Sequence, residues 1–265
     1  MTDLPYYHVD AFADRPFTGN QAAVMPLDAW LDDAVLQAIG DENNFAETAF
    51  IVPDTTGEAD YELRWFTPTV EVRMCGHATL ASGHVVLSQN PEMLRVTFRT
   101  RQVGILEVCR ERDGYAVALP TIASEPMDFV DAAEAVGGSP VAIFGNPNQY
   151  YLLRYTDAAE IWALKPDMKM LASLGNDLFV ATAPGEGTDI ISRVFVPGAG
   201  IDEDAVTGSA HALLAPYWAK ELGRDNFTAY QASARGGYLG CQIEGDRVWL
   251  SGKCFTVVKG TFSLA

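Results

Sequence analysis

Glu47 stands in Asn44-Phe45-Ala46-Glu47-Thr48-Ala49-Phe50-Ile51, an acid among apolar neighbours. Such a carboxylate is either exposed at an edge or desolvated, and a desolvated one has a raised pKa that suits general acid/base chemistry. His77 comes directly after Cys75-Gly76. A lone histidine there is either a structural hydrogen-bonder or a group that serves a site. Asp204, in Asp202-Glu203-Asp204-Ala205-Val206-Thr207-Gly208, either caps the helix that follows or faces a ligand. Ser209 is either a ligand contact or an ordinary first-turn residue, and His211 reads as helix packing. Cys75 opens a predicted helix, where a thiol has a lowered pKa and could be a nucleophile or a base. Proton transfer is the chemistry this set offers.

The elements that must position these groups are short. Apolar spacing and turn residues predict strands over 6–13, 49–52, 61–66, 94–98, 104–110 and 115–119. Helices are expected over 31–39, with Asp28 as cap, and over 75–87, where small and apolar residues dominate. The pattern breaks around 120–126. Strands resume over 149–153, 178–182, 190–196, 239–244, 247–250 and 254–258, with a helix over 208–222 ending against Gly223. Many short strands with one long helix per half suggest curved sheets, each wrapped on a helix.

The two halves also repeat each other. Arg64-Trp65-Phe66-Thr67-Pro68 precedes Cys75-Gly76-His77-Ala78, and Arg193-Val194-Phe195-Val196-Pro197 precedes Thr207-Gly208-Ser209-Ala210. The arginines are 129 residues apart and the glycines 132, so the second copy has three extra residues before its helix. This points to duplication. Gly76 and Gly208 would each open a helix N-terminus, whose free amides and dipole favour an anion. A carboxylate held between the halves would fit that arrangement. In the repeat Cys75 corresponds to Thr207, whose hydroxyl is too weak a base, so a facing pair of thiols is ruled out.

The chain of 265 residues is 48% hydrophobic and 20% charged, ample for a sizeable core. Its 35 acidic and 18 basic residues give a net charge of -17. That field repels phosphate backbones, so no nucleic-acid partner is expected. Cys75, Cys109, Cys241 and Cys254 form no Cys-x-x-Cys pair, which removes zinc-ribbon and thioredoxin readings and leaves free thiols as the expectation. Met1-Thr2-Asp3-Leu4-Pro5 has no basic leader character, and no apolar run approaches the roughly 20 residues of a membrane span. A cytoplasmic protein without a membrane partner is expected.

His8-Val9-Asp10-Ala11-Phe12 with Gly19-Asn20, Asn44 to Thr48, Cys75-Gly76-His77-Ala78-Thr79, Glu203 to His211, and Gln231-Ala232-Ser233-Ala234-Arg235-Gly236-Gly237 together resemble the phenazine-biosynthesis PhzF-like family, in the family's order and over nearly the whole chain. The resemblance implies a diaminopimelate epimerase-like fold of class α+β. Two pseudo-symmetric domains, 1–120 and 121–265, would each hold a curved, barrel-like, mostly antiparallel sheet around a central helix, with the C-terminal strand able to return to the first. It further implies a homodimer, a small carboxylate-bearing substrate in the cleft between the domains, and isomerisation by proton shuttling with no metal or organic cofactor. By motif, Glu47 matches the family's acid/base residue, and His77 the histidine that contacts substrate or assists proton transfer. Asp204 and Ser209 match polar substrate contacts, and Gly76 and Gly208 would present backbone amides. Ala205 stands where the family usually has proline, which should loosen the loop carrying Asp204. Two other readings stay open. One is a dehydratase or lyase of the proline-racemase type that depends on Cys75, and the other is a small-ligand-binding protein without catalysis.

Overall fold

Strand β1 (Thr2–Ala13) is buried continuously from Val9 to Ala13, as a strand covered on both faces must be. The structure, a computed structural model, describes residues 2–147 and 149–264. The chain divides into two compact units, Met1–Leu119 with Ser251–Ala265, and Pro120–Leu250.

In the first unit β1 pairs antiparallel with β2 (Asn20–Pro26). Helix α1 (Asp33–Asn43) then carries the chain to β3 (Glu47–Pro53), parallel to β2. β4 (Tyr61–Phe66) pairs antiparallel with β3 and with the short β5 (Glu71–Val72). Helix α2 (Gly76–Gln89) leads to β6 (Arg95–Arg99), parallel to β4, and β7 (Ile105–Glu111) and β8 (Gly114–Pro120) complete the meander. α2 packs against β1, β2, β3, β6 and β7. It is buried on nearly every side, which its small residues permit. At Gly83 an added Cβ would stand 2.3 Å from a methyl of Val108 on β7, so only glycine lets the helix lie this close to the sheet.

The second unit repeats that order. It opens with β9 (Glu125–Pro126) and α3 (Val130–Val136). β10 (Ala142–Gly145) pairs antiparallel with β11 (Tyr150–Arg154), and α4 (Ala158–Ala163) and α5 (Met168–Leu174) lead to β12 (Leu178–Pro184), parallel to β11. β13 (Ile190–Val196) is antiparallel to β12 and to β14 (Ile201–Glu203). Helix α6 (Gly208–Leu222) crosses to β15 (Asn226–Gln231), parallel to β13, and β16 (Gly237–Glu244) turns back on β15. Strand for strand, the pairing senses match those of the first unit. α6 contains Pro216, whose missing N–H frees the carbonyl four residues earlier, at Ala212. The Ile122 N–H fills it at 3.0 Å.

The repeated arginines share one task. Arg64 makes a two-pronged contact with Glu71 at 2.8 Å and lies 4.9 Å over the Phe66 ring. Arg193 does the same with Glu203, at 2.8 and 2.9 Å, and lies 5.0 Å over Phe195. Each clamps the hairpin that feeds a central helix. The three extra residues of the second copy fall inside that hairpin, which holds a single 3-10 turn at Pro197–Ala199.

Two local expectations change. The first helix starts at Asp33 with Asp32 at its cap position, not after Asp28. The Leu27 N–H still donates to Ile51 O, which keeps the chain on the strand path beyond β2. The strands expected over 247–250 and 254–258 are one strand, β17 (Arg247–Leu264), whose latter part pairs with β1 in the first unit. Gly252 does not break it, because Gly114 of β8 packs directly on the Gly252 carbonyl and holds the segment extended.

Candidate active site

Glu47 is the first residue of β3, at the point where the half-buried Phe45-Ala46-Glu47 gives way to the buried Thr48 and Ala49. Just before it, Asn44 closes α1 in the left-handed conformation (φ 51°), and the Asn43 side chain donates to Thr48 Oγ1 at 3.0 Å. These contacts fix where the strand begins. The carboxylate is 16% exposed. It is neither free at an edge nor fully enclosed.

His77 lies in the first turn of α2, buried, with Nε2 3.1 Å from Glu47 Oε2. The ring N–H is not aligned on that oxygen, so Oε2 is buried with no hydrogen-bond partner among the described residues. The other ring nitrogen, Nδ1, meets the Asn20 side-chain amide at 3.1 Å and Cys75 Sγ at 3.5 Å. Burial disfavours charge on His77, but Cys75 and the Glu47 carboxylate outweigh it and raise the imidazole well above the usual histidine range. Cys75 behaves otherwise than expected. Burial, reinforced by Glu47, pushes its thiol up to about 11, against any lowering from the helix end. It is a poor base at neutral pH.

Asn20 was not among the expected site residues. It opens β2 directly after Gly19, which has φ +70° and would place an added Cβ 2.3 Å from Ala11 O. Only glycine makes that turn. A buried polar residue forced into place by an obligatory glycine was the available signal.

In the second unit, Asp204 is not the helix cap. Thr207 takes that position without a capping side-chain bond, and its hydroxyl donates to Asp204 Oδ2 at 2.5 Å. The buried Gln231 ties the segment together. Its Oε1 accepts from Thr207 N at 2.8 Å, and its Nε2 donates to Asp204 O at 2.8 Å and Thr207 Oγ1 at 3.2 Å. Ser233 Oγ donates to Ala205 O at 2.8 Å. These bonds hold the loop that the missing proline was expected to loosen. Gly208 is buried and Ser209 half-buried at the start of α6. His211 is fully buried, with Nδ1 2.8 Å from Thr207 O, as helix packing requires.

The register shows how far the two units have diverged. Thr48 pairs with Phe66, and Phe179 pairs with Phe195, so the counterpart of Glu47 is Leu178. The counterparts of Cys75 and His77 are Thr207 and Ser209. The first unit therefore holds the acid and the imidazole, and the second holds an aliphatic side chain and hydroxyls in their place.

Residues 9–260 match the family described as phenazine biosynthesis-like protein. An uncharacterized isomerase of Pseudomonas aeruginosa is 45% identical over 99% of this chain and 100% of its own length. A crystal structure of a PhzF family protein from Enterococcus faecalis superposes with a TM-score of 0.91 at 37% identity, covering 99% of this chain and 100% of that one. A hydroxyproline epimerase from Agrobacterium vitis shares the fold at a TM-score of 0.65 and 11% identity, over 98% and 92% of the two chains.

Proposed function

The chain belongs to the phenazine biosynthesis-like family, with the two-unit epimerase-like fold, and on that premise we propose that it is an isomerase of a small carboxylate-bearing molecule. Glu47 takes a proton from a substrate carbon and returns it at another position. The observation that carries this reading is Glu47 Oε2, buried, without a hydrogen-bond partner among the described residues, and 3.1 Å from a histidine that favours the charged state. A sheltered carboxylate oxygen with an ion-pair neighbour but no aligned hydrogen bond is placed to accept a proton from a substrate. His77 holds counter-charge beside it, and Asp204, Ser209 and the amides at Gly76 and Gly208 are the polar groups offered to the substrate. The homodimer and the cytoplasmic setting belong to the same proposal.

A facing pair of thiols does not follow from the repeat, because Thr207 stands at the position that corresponds to Cys75. Cys75 as sole base is disfavoured by its pKa of about 11.

The test is a screen of small carboxylates for deuterium incorporation in heavy water. The wild-type protein should label at least one substrate at carbon. Glu47→Gln should lower turnover on that substrate by about 10²–10⁴-fold and abolish the labelling. Full turnover by the variant would sink the mechanism.

A further inference from the structure

Glu47, Cys75 and His77 bring a carboxylate oxygen, a thiol sulfur and a ring nitrogen within 4.8 Å of one another. Three protein ligands of mixed oxygen, sulfur and nitrogen type, with a fourth position open, form a donor set that suits zinc. Bond lengths of about 2.3 Å to sulfur and 2.0–2.2 Å to nitrogen and oxygen place neighbouring ligand atoms roughly 3.3–3.6 Å apart in a tetrahedron. Here Cys75 Sγ lies 4.0 Å from His77 Nε2, and Nε2 lies 3.1 Å from Glu47 Oε2. Side-chain adjustments of about an ångström would seat a cation, the widest gap in the set being 4.8 Å at most.

Two further observations point to a ligand. Glu47 Oε2 is buried with no hydrogen bond among the described residues, so a lone pair is open toward the sulfur and the ring. His77 Nδ1 meets the Asn20 side-chain amide at 3.1 Å; with the amide oxygen turned toward the ring, Nδ1–H would donate to it and leave the Nε2 lone pair for a cation. The net charge of -17 also concentrates cations around the protein.

We propose that Glu47, Cys75 and His77 form a site for one thiophilic divalent cation of the zinc class, and that its occupancy excludes proton shuttling. The cation is an inhibitory ligand, not a cofactor, because it takes up the lone pair that the isomerase reading assigns to substrate. Binding exchanges the S–H bond for a sulfur–metal bond and the Nε2–H bond of His77 for a nitrogen–metal bond, both protons leave to the buffer, and no electron moves. Mg2+ and Ca2+, which favour all-oxygen sites, should not compete. The second unit offers Leu178, Thr207 and Ser209 at the matching positions, so one cation per chain is expected.

Purified full-length protein would be titrated with Cd2+, reading the ultraviolet sulfur-to-cadmium charge-transfer band, and with Zn2+ by calorimetry. One equivalent should bind per chain. Cys75→Ser should remove the band, and Glu47→Gln and His77→Gln should each weaken Zn2+ affinity at least about 10-fold. Cys109→Ser, Cys241→Ser and Cys254→Ser should titrate as the wild type. If Cys75→Ser does not fold, as judged by circular dichroism, the Glu47 and His77 variants decide. A saturable band that survives Cys75→Ser, no band at all, or Zn2+ affinity unchanged in both other variants would overturn the proposal. The readout needs no turnover. Failure here leaves the acid/base reading standing, and full turnover by Glu47→Gln would overturn that reading and leave this one.

Discussion

His77 and His211 sit one turn or less inside the two central helices, and their surroundings drive them in opposite directions. His211 has no carboxylate against it among the described residues. Burial pushes it down to about 4, despite help from the Thr207 carbonyl. His84, lowered to about 4 by burial and Arg110, adds to the same effect. The unfolded chain then binds more protons than the folded one between about 4 and the ordinary histidine value of about 6.5. Stability from His211 is complete above that window and lost as pH falls through it, on the order of 3 kcal/mol. His77 is raised, so its contribution is complete below about 6.5 and lost as pH rises through its folded value. Urea midpoints measured against pH should therefore peak near neutrality. His211→Asn keeps a donor for Thr207 O but cannot charge, and should flatten the acid limb. His77→Gln should flatten the alkaline limb. An acid limb unchanged in His211→Asn would contradict this assignment.

At the scale of elements, the start of α6 depends on a side chain that is distant in sequence. Gln231→Ala would strand the Thr207 N–H and the Asp204 carbonyl, both bonded to it. Each unsatisfied buried group costs about 1–3 kcal/mol, so urea denaturation should show a loss of about 2–4 kcal/mol. Gln231→Glu keeps the acceptor and loses the donor, and should fall between. A loss below about 0.5 kcal/mol would show that the clamp does not hold the loop. The same dependence on distant partners explains what the sequence made legible. Strands 61–66 and 190–196 and the helix 208–222 were read at their observed bounds, because their apolar runs end at strong local signals such as Gly223. β15 and the short helix α3 were missed, and α4 and α5 were given no bounds although Asp157 and Asp167 cap them, because helices of six and seven residues are too short to show a period. Glu47 and His77 were legible by type and setting, and their 3.1 Å approach was not. Asn20 meets His77 57 residues away, and Gln231 bonds Thr207 and Asp204 24 and 27 residues away, which spacing along the chain does not display. The lowered pKa expected of Cys75 failed for a related reason: the helix end was visible in sequence, the depth of burial was not.

At the scale of the whole molecule, the repeat kept a structural arginine in each unit, while the Glu47 carboxylate and the His77 imidazole have Leu178 and Ser209 as their counterparts. The two clamps are not equally insured. Arg64, 2% exposed, has Glu71 and also Asp33 at 2.8 Å, and its guanidinium holds the Asp33 carboxyl below the usual range. Arg193, 14% exposed, has Glu203 as its carboxylate partner among the described residues, and further bonds go to the Ile161 and Leu164 carbonyls. Removing one partner of a buried pair is costly because a charge is left behind without its counter-ion. Glu203→Ala should therefore destabilise the protein by about 2 kcal/mol, below the 3–5 kcal/mol of a fully buried pair because both side chains are partly wet. Glu71→Ala should cost less, since Asp33 still faces Arg64. Adding Asp33→Ala to Glu71→Ala removes that reserve, and the combined loss should exceed the sum of the two single losses. Equilibrium urea unfolding of the wild type, the three single variants and the double variant measures all of this. If Glu71→Ala proves the more damaging single change, or the double variant is merely additive, the second carboxylate is not a reserve.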